Sequence, residues 1–212
     1  MKTFLFHIHT KKSYDANIKI EKLLDYVIKN KIDYFCVTDH HSFEACEIIE
    51  KLLKSKKYRG KTKLVKGMEI TTEYGDIIPL FIKKEIKTRE FLEVVRETKK
   101  QKGLLIIPHP YHMHKHLPYL IKHVDGIEIF NSCGFNFENK KAMQLALENP
   151  QLLHIAAVDA HLINELGNAL NEIKLGKKIK IKPIFYKSSG RTASLKHFIM
   201  KVLNIIKNLF RK

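Results

Sequence analysis

Short runs of unbroken apolar residues, each set against a stretch of helical period, constrain this chain more than any other feature. Residues 33–38 (DYFCVT) and 104–107 (LLII) show no polar alternation, so strands there must be covered on both faces. Residues 20–31 (IEKLLDYVIKNK) instead place apolar side chains at Ile20, Leu23, Leu24, Val27 and Ile28, a helical spacing. Ser42 precedes a second such stretch carrying Ala45, Ile48, Ile49, Leu52 and Leu53. Thr88 precedes a third carrying Phe91, Leu92, Val94 and Val95. Further strands are expected at 5–8, 63–70, 76–82, 126–130, 154–158 and 179–186, with Pro79 marking an edge or a bulge. Helices are expected at 115–123 and 137–148, and a basic amphipathic helix at 194–210. Strand and helix alternate about seven times, which predicts an α/β fold on a parallel sheet, closed or open. No repeat, low-complexity tract or Gly/Ser linker divides the 212 residues. One domain over 1–212 is expected, with the 194–210 helix packed on it.

Composition removes several classes. With 44% apolar and 29% charged residues, the chain can build a core and is neither disordered nor a disulfide mini-protein. No run of 18 apolar residues exists, so stable membrane insertion is not expected. The opening MKTFLFHIHT turns polar too early for a signal peptide. Cys36, Cys46 and Cys133 form no C-x-x-C pair, which fits a reduced, cytoplasmic setting. Lys+Arg 39 against Asp+Glu 22 leaves a net charge of +17. That excess suits a phosphorylated partner, yet lysines spread evenly also describe an ordinary solvated surface. Aromatic residues form no cluster along the sequence, which argues against a long single-strand track.

The twelve histidines carry more information. His7 and His9 end the first strand, His40 follows the second, and Glu69 ends the third. His109 follows the 104–107 strand directly, Glu128 and Asn131 border the end of the next, and Asp159 and His161 follow the 154–158 strand. In parallel α/β folds this carboxyl end of the strands holds the active site. Residues two apart on a strand share a face, so His7 and His9 can reach one ion. Imidazole with carboxylate is the ligand set of Zn, Mn or Fe. His7, His9, His40, Glu69, His109, Asp159 and His161 exceed the four ligands of one tetrahedral ion, so at least two ions are expected. His112, His114, His116, His123, His154 and His197 lie off this pattern and read as structural.

The order HIHTKKSYD (7–15), VTDHHS (37–42), GMEITTEYGD (67–76), PHP (108–110), IEIFNS (127–132) and VDAH (158–161) resembles the PHP superfamily of polymerase and histidinol phosphatase domains. The resemblance implies a distorted (β/α)7 barrel with mostly parallel strands, a centre of two or three divalent ions, and phosphoester hydrolysis. It implies as ligands His7, His9, Asp15, His40, Glu69, His109, Asp159 and His161. Many relatives have a histidine a few residues after the motif glutamate; here Gly75 and Asp76 stand in that place, which makes Asp76 a further candidate ligand. Asp15 could instead cap the helix near Ile20.

The expected activity is hydrolysis of a phosphomonoester, a nucleotide or a nucleic-acid end by metal-activated water. Asp39 is expected to accept a hydrogen bond from a ligand imidazole. Asn131 and Ser132 are candidates for holding substrate, and Arg191, after Ser188-Ser189-Gly190, for clamping phosphate. Two alternatives keep the fold: a metal-stabilised binding module without catalysis, and a metal-dependent amide hydrolase. The sequence leaves the oligomeric state and the metal open.

Overall fold

A computed structural model of the protein describes residues 1–187. Arg191, His197 and the 194–210 segment lie outside the described residues. The order is β1 (Lys2–Ile8), α1 (Ile20–Lys29), β2 (Tyr34–Val37), α2 (Glu44–Leu52), β3 (Lys63–Lys66), β4 (Ile70–Thr72), β5 (Gly75–Leu80) and α3 (Phe91–Lys100). Then follow β6 (Leu104–Ile107), α4 (Leu117–Leu120), β7 (Gly126–Asn131), α5 (Asn136–Glu148), β8 (Leu153–Ala157), a 3-10 turn (Ile163–Glu165), β9 (Ala169–Lys174) and β10 (Lys180–Tyr186). No helix among the described residues is long and apolar enough to cross a membrane.

The strands form two five-stranded sheets, ordered β10-β9-β1-β2-β3 and β4-β5-β6-β7-β8. Pairs β1–β2, β2–β3, β6–β7 and β7–β8 are parallel, as their helical crossovers require. Pairs β1–β9, β9–β10, β4–β5 and β5–β6 are antiparallel. Among the described residues the sheets are therefore mixed and do not close into one barrel; the α/β class holds there, without the expected (β/α)7 count. They meet at seams of single bridges, Gly67 with Leu80 on one side and Ile8 with Ala160 on the other.

Both seams have local causes. The stretch expected as one strand over 63–70 breaks after Lys66, because Gly67 lies against β5. A Cβ there would meet Leu80 Cδ2 and the Pro79 carbonyl at 3.0 Å. Pro79 pairs with Leu105 of β6, while β4 pairs only with Gly75–Ile77. The proline thus sits where its missing N–H leaves no ladder bond unmade on the other side. At the second seam, the fully buried Asn171 of β9 accepts from Ala156 N at 2.9 Å and donates to Ala156 O at 2.8 Å and Phe4 O at 3.3 Å. One amide joins β8 to β1.

Two apolar clusters follow from this arrangement. Phe4, Phe6, Cys36, Val65, Ile78, Leu80, Ile106, Ile155, Ala157, Ile173 and Ile181 fill the space between the sheets. Leu23, Leu24, Val27, Ile49, Phe91 and Val94 press the helices on the outside together with Leu5 and Ile8. Leu5 and Ile8 are three apart, so β1 breaks the period of two. The break is a register shift between Leu5 and Ile8, with His7 at a φ of 69°. It turns His7 and His9 towards the carboxyl ends of the strands. Replacing Asn171 by Leu strands the Ala156 N–H and C=O in the core. The expected loss of about 1–3 kcal/mol is read as a lower urea midpoint at unchanged slope.

Candidate metal centre

The strand ends bring all eight of the expected ligand residues together. His7 Nε2 lies 3.0 Å from His9 Nε2, and each lies 3.2 Å from Glu69 Oε2 and 3.3 Å from Asp159 Oδ1. Asp15 Oδ2 lies 3.1 Å from His161 Nε2 and 3.3 Å from His40 Nε2. Glu69 Oε1 reaches His109 Nε2 at 3.1 Å. Ligand atoms converge in three groups: His9, Asp15, His40 and His161; His7, His9 and Asp159; and His7, Glu69 and His109. The His9 ring is stacked on His40 at 4.7 Å and on His161 at 4.3 Å, while His7 is tilted against it by 54°.

These residues fit divalent ions. A tetrahedron with ligand distances of ~2.0–2.1 Å has edges of about 3.3 Å, close to the spacing of the His7, His9, Glu69 and Asp159 donors. Ring nitrogens His9 Nδ1, His40 Nδ1 and His109 Nδ1 and the Asp76 Oδ1 oxygen are buried without a hydrogen-bond partner. Such orphaned donor atoms are costly unless something else satisfies them. His7 (φ 69°), His109 (φ 27°) and Asp159 (φ 46°) all hold left-handed backbone, which non-glycine residues adopt at a cost where function fixes them.

Neighbouring side chains set these orientations. Glu128, fully buried, accepts from His7 Nδ1 at 2.6 Å, His109 N at 2.8 Å and Asn131 Nδ2 at 2.9 Å. It is the carboxylate behind an imidazole that the sequence reading had assigned to Asp39. Asp39 instead spends both oxygens on Thr10, one on its main-chain N–H and one on its hydroxyl. Those bonds pin the turn after His9, because burial pushes the Asp39 carboxyl up and it needs the donors. Asp15 does not cap α1, whose first residue follows Lys19 without a side-chain cap; its Oδ1 accepts from Ser13 Oγ at 2.7 Å. Asn131 lines the cavity, but its amide is committed to Glu128, Asp159, Cys133 N and Gly134 N. Ser132 is buried and donates to Val158 O. These bonds let both residues shape the β7 end. Glu165, which the sequence reading missed, accepts from His161 N and Leu162 N at 2.8 Å.

Asp76 belongs to none of the three groups, although it lines the same cavity. Beside it, the His114 ring rests on Gly75 (φ 119°), where a Cβ would come within 2.7 Å of Cδ2. His114 Nε2 lies 2.7 Å from Asp76 O and Nδ1 lies 3.0 Å from His112 O. This imidazole is structural, as its sequence position suggested.

The centre opens into a cavity of about 530 Å³. Among the described residues, Glu69, Glu73, Asp76, Glu138 and Asp159 line it, together with the ammonium of Lys115. Buried charges dominate the titration. Burial alone would lower His9, but Asp159 and Glu69 lift it to about 10. Burial likewise opposes Glu69 at His109, which rises to about 9. His7 is raised well above its ordinary value against the same burial, by Asp159, Glu128 and Glu69. Asp15, Glu69 and Asp159 are depressed, since facing imidazoles outweigh their burial.

The PHP domain family matches residues 6–149. The chain belongs to that family. An uncharacterised protein of Methanocaldococcus jannaschii is 29% identical over 134 residues, 56% of this chain and 56% of that protein. A Thermotoga maritima protein described as a histidinol-phosphatase is 35% identical over 71 residues, 31% of this chain and 29% of its own length. The chain thus spans little more than half of the first relative and less of the second. Among solved structures, a two-domain Bacteroides vulgatus protein described as containing a PHP-like metal-dependent phosphoesterase has a TM-score of 0.69 at 17% identity. That likeness covers 94% of this chain and 69% of the other, and it shows the shared fold.

The raised imidazoles predict how the metal-free protein responds to pH. A histidine whose folded value exceeds ~6.5 contributes stability below that pH and loses it as pH rises through the folded value. For His109 and His9 the loss runs from about 6.5 to about 9 and about 10. The melting temperature of chelator-treated protein should therefore fall across pH 7–10. A flat profile would show that these imidazoles carry no charge in the empty fold.

Proposed function

We propose that this PHP domain is a metal-dependent phosphoesterase whose centre is built from His7, His9, Asp15, His40, Glu69, His109, Asp159 and His161. One observation carries the reading: eight imidazole and carboxylate side chains converge at ligand spacing, and His40, Glu69, His109, Asp159 and His161 among them open onto a cavity with acidic walls. Without cations, those walls repel a phosphate; with two or three ions, the floor becomes the one place that attracts it. Divalent ions there would supply Lewis-acid stabilisation of the phosphoryl oxygens and a water that ionises near neutral pH.

The chain's own residues do the rest. Glu128 fixes the ring of His7 and, through His109 N, the turn that carries His109. Asn131 holds Asp159 Oδ2 at 3.2 Å, leaving Oδ1 towards His7 and His9. Glu165 and Thr10 tie the main chain beside His161 and His9. Preorganised donors of this kind cost no rearrangement during the reaction. Asp76, which lines the same cavity, is a further candidate ligand of this reading, and Arg191 is its phosphate clamp. The acidic walls favour a small phosphomonoester over a polyanionic strand.

Elemental analysis of the purified protein should give about two to three ions per chain. Chelation should abolish turnover of a phosphoester panel, and Mn, Zn or Fe should restore it. Less than one ion together with full activity after chelation would end the reading. Glu128→Gln removes the charge behind His7 and should weaken metal binding by about 10–100-fold, measured by competition with a chelator.

A further inference from the structure

We propose that the β9–β10 hairpin and residues 194–210 form one docking surface for an anionic phospholipid bilayer; the proposal is independent of the metal centre. Lysines run the whole length of the chain, but carboxylates stop at Glu172. Residues 173–212 hold 12 Lys and Arg and no Asp or Glu, and so carry 12 of the 17 net positive charges. Six of these lysines are described, Lys174, Lys177, Lys178, Lys180, Lys182 and Lys187, and all are exposed. The ion pairs that lysines make among the described residues lie elsewhere, at Lys2, Lys12, Lys57, Lys66 and Lys100. Lys180 stands opposite Lys174 in the β9–β10 register. Such like-charge pairing destabilises a hairpin by itself, and an anionic surface relieves it.

Apolar side chains stand among these charges. Leu175, just past β9, is 43% exposed, and Ile184 and Tyr186 on β10 are 45% and 44% exposed. β10 is the outer strand of its sheet, but Pro183 and the register shift beside it block a further strand from adding. The edge therefore suits a planar surface better than an extended peptide or a second copy of this chain. The sequence beyond β10 repeats the same chemistry at helical spacing. Leu195, Phe198, Ile199, Val202, Ile206 and Leu209 fall on one half of a helical projection, and Lys196, Lys201, Lys207 and Arg211 on the other. A wide apolar half has no counterpart on a nucleic acid, which offers phosphates, sugars and base edges. A bilayer interface offers acyl chains to that half and phosphates to the lysines. With no run of 18 apolar residues, the segment lies on the membrane rather than across it. Residues 187–193 reach at most ~25 Å, so hairpin and segment can meet one plane.

The test sediments the full chain with vesicles of phosphatidylcholine, alone or mixed with phosphatidylglycerol. Binding should appear with the mixed vesicles only and weaken as salt rises. Each basic residue beside an anionic leaflet contributes about fivefold to partitioning. Lys180→Ala with Lys182→Ala should therefore weaken binding by about 25-fold, and Ile199→Asp with Ile206→Asp should abolish it. Both double variants should melt as the wild type does. The chain has no Trp, so Phe198→Trp supplies a single reporter whose emission should shift to the blue when mixed vesicles are added. Emission already blue in buffer and unmoved by vesicles would show the apolar half packed on protein and overturn the proposal, as would a clear drop in the melting temperature of the isoleucine variant. Equal binding to both kinds of vesicle, binding to neither, or binding untouched by either double variant would also overturn it. A DNA duplex bound more tightly than the mixed vesicles would assign the charge to nucleic acid and overturn it as well.

Discussion

Glu128 behind His7 is the contact on which the rest of the centre depends. A carboxylate with no solvent exposure survives only when its lone pairs are used. Glu128 meets that condition by drawing in three donors from three strand ends: the His7 ring, the His109 main chain and the Asn131 amide. Each donor is then fixed for a further purpose. His7 turns Nε2 towards His9, Glu69 and Asp159, His109 starts its turn at positive φ, and Asn131 orients Asp159. Removing one partner of such a set leaves the others buried and unpaired, so the interaction reaches well beyond its own bond.

The fold serves that concentration of charge. Each buried imidazole and carboxylate is expensive alone, and the two sheets deliver both kinds together from opposite sides. β1, β2 and β3 lead into His7, His9, His40 and Glu69; β6, β7 and β8 lead into His109, Glu128 and Asp159. The seams between the sheets therefore matter to the chemistry. Ile8 bridges Ala160, and His9 N donates to Ala160 O at 2.9 Å, so the seam Asn171 helps to hold also sets the distance between His9 and Asp159. A single parallel barrel would need no such stitching.

Much of this was legible in the sequence, and the remainder was hidden for identifiable reasons. Unbroken apolar runs located β2 and β6, and helical spacing located α1 and α3 to within a few residues. The ligand residues were readable because chemistry-bearing side chains interrupt or directly follow those runs. β9 was missed although Ala169, Asn171 and Ile173 alternate inward, because an asparagine on the inner face reads as loop until its partners across the seam are known. Asp39 looked like an imidazole partner because it adjoins His40; only the turn after His9 shows that Thr10 takes both oxygens. Glu128 was visible as a lone carboxylate in GIEIFN, but its reach to His7 spans 121 positions. His7 and His9 do meet, but through a bulge in β1 that no periodicity encodes rather than through strand alternation. The split of 63–70 came from Gly67, whose role is to let β5 approach.

Charge gives the clearest case of a global number misleading about a local field. A net charge of +17 suggests a polyanion-binding surface, whereas the described residues lining the cavity above the centre include five carboxylates and one lysine. Screening makes these statements compatible. At physiological salt, exposed charges lose influence beyond ~8 Å, so scattered lysines steer an anion towards the molecule without setting the potential inside a cleft. On the proposed reading, the walls of the cleft exclude phosphate until cations are bound. Metal occupancy and substrate affinity are thereby coupled through one field, and an anion that does bind should in turn retain the ions. The arrangement limits idle phosphate binding by the metal-free fold.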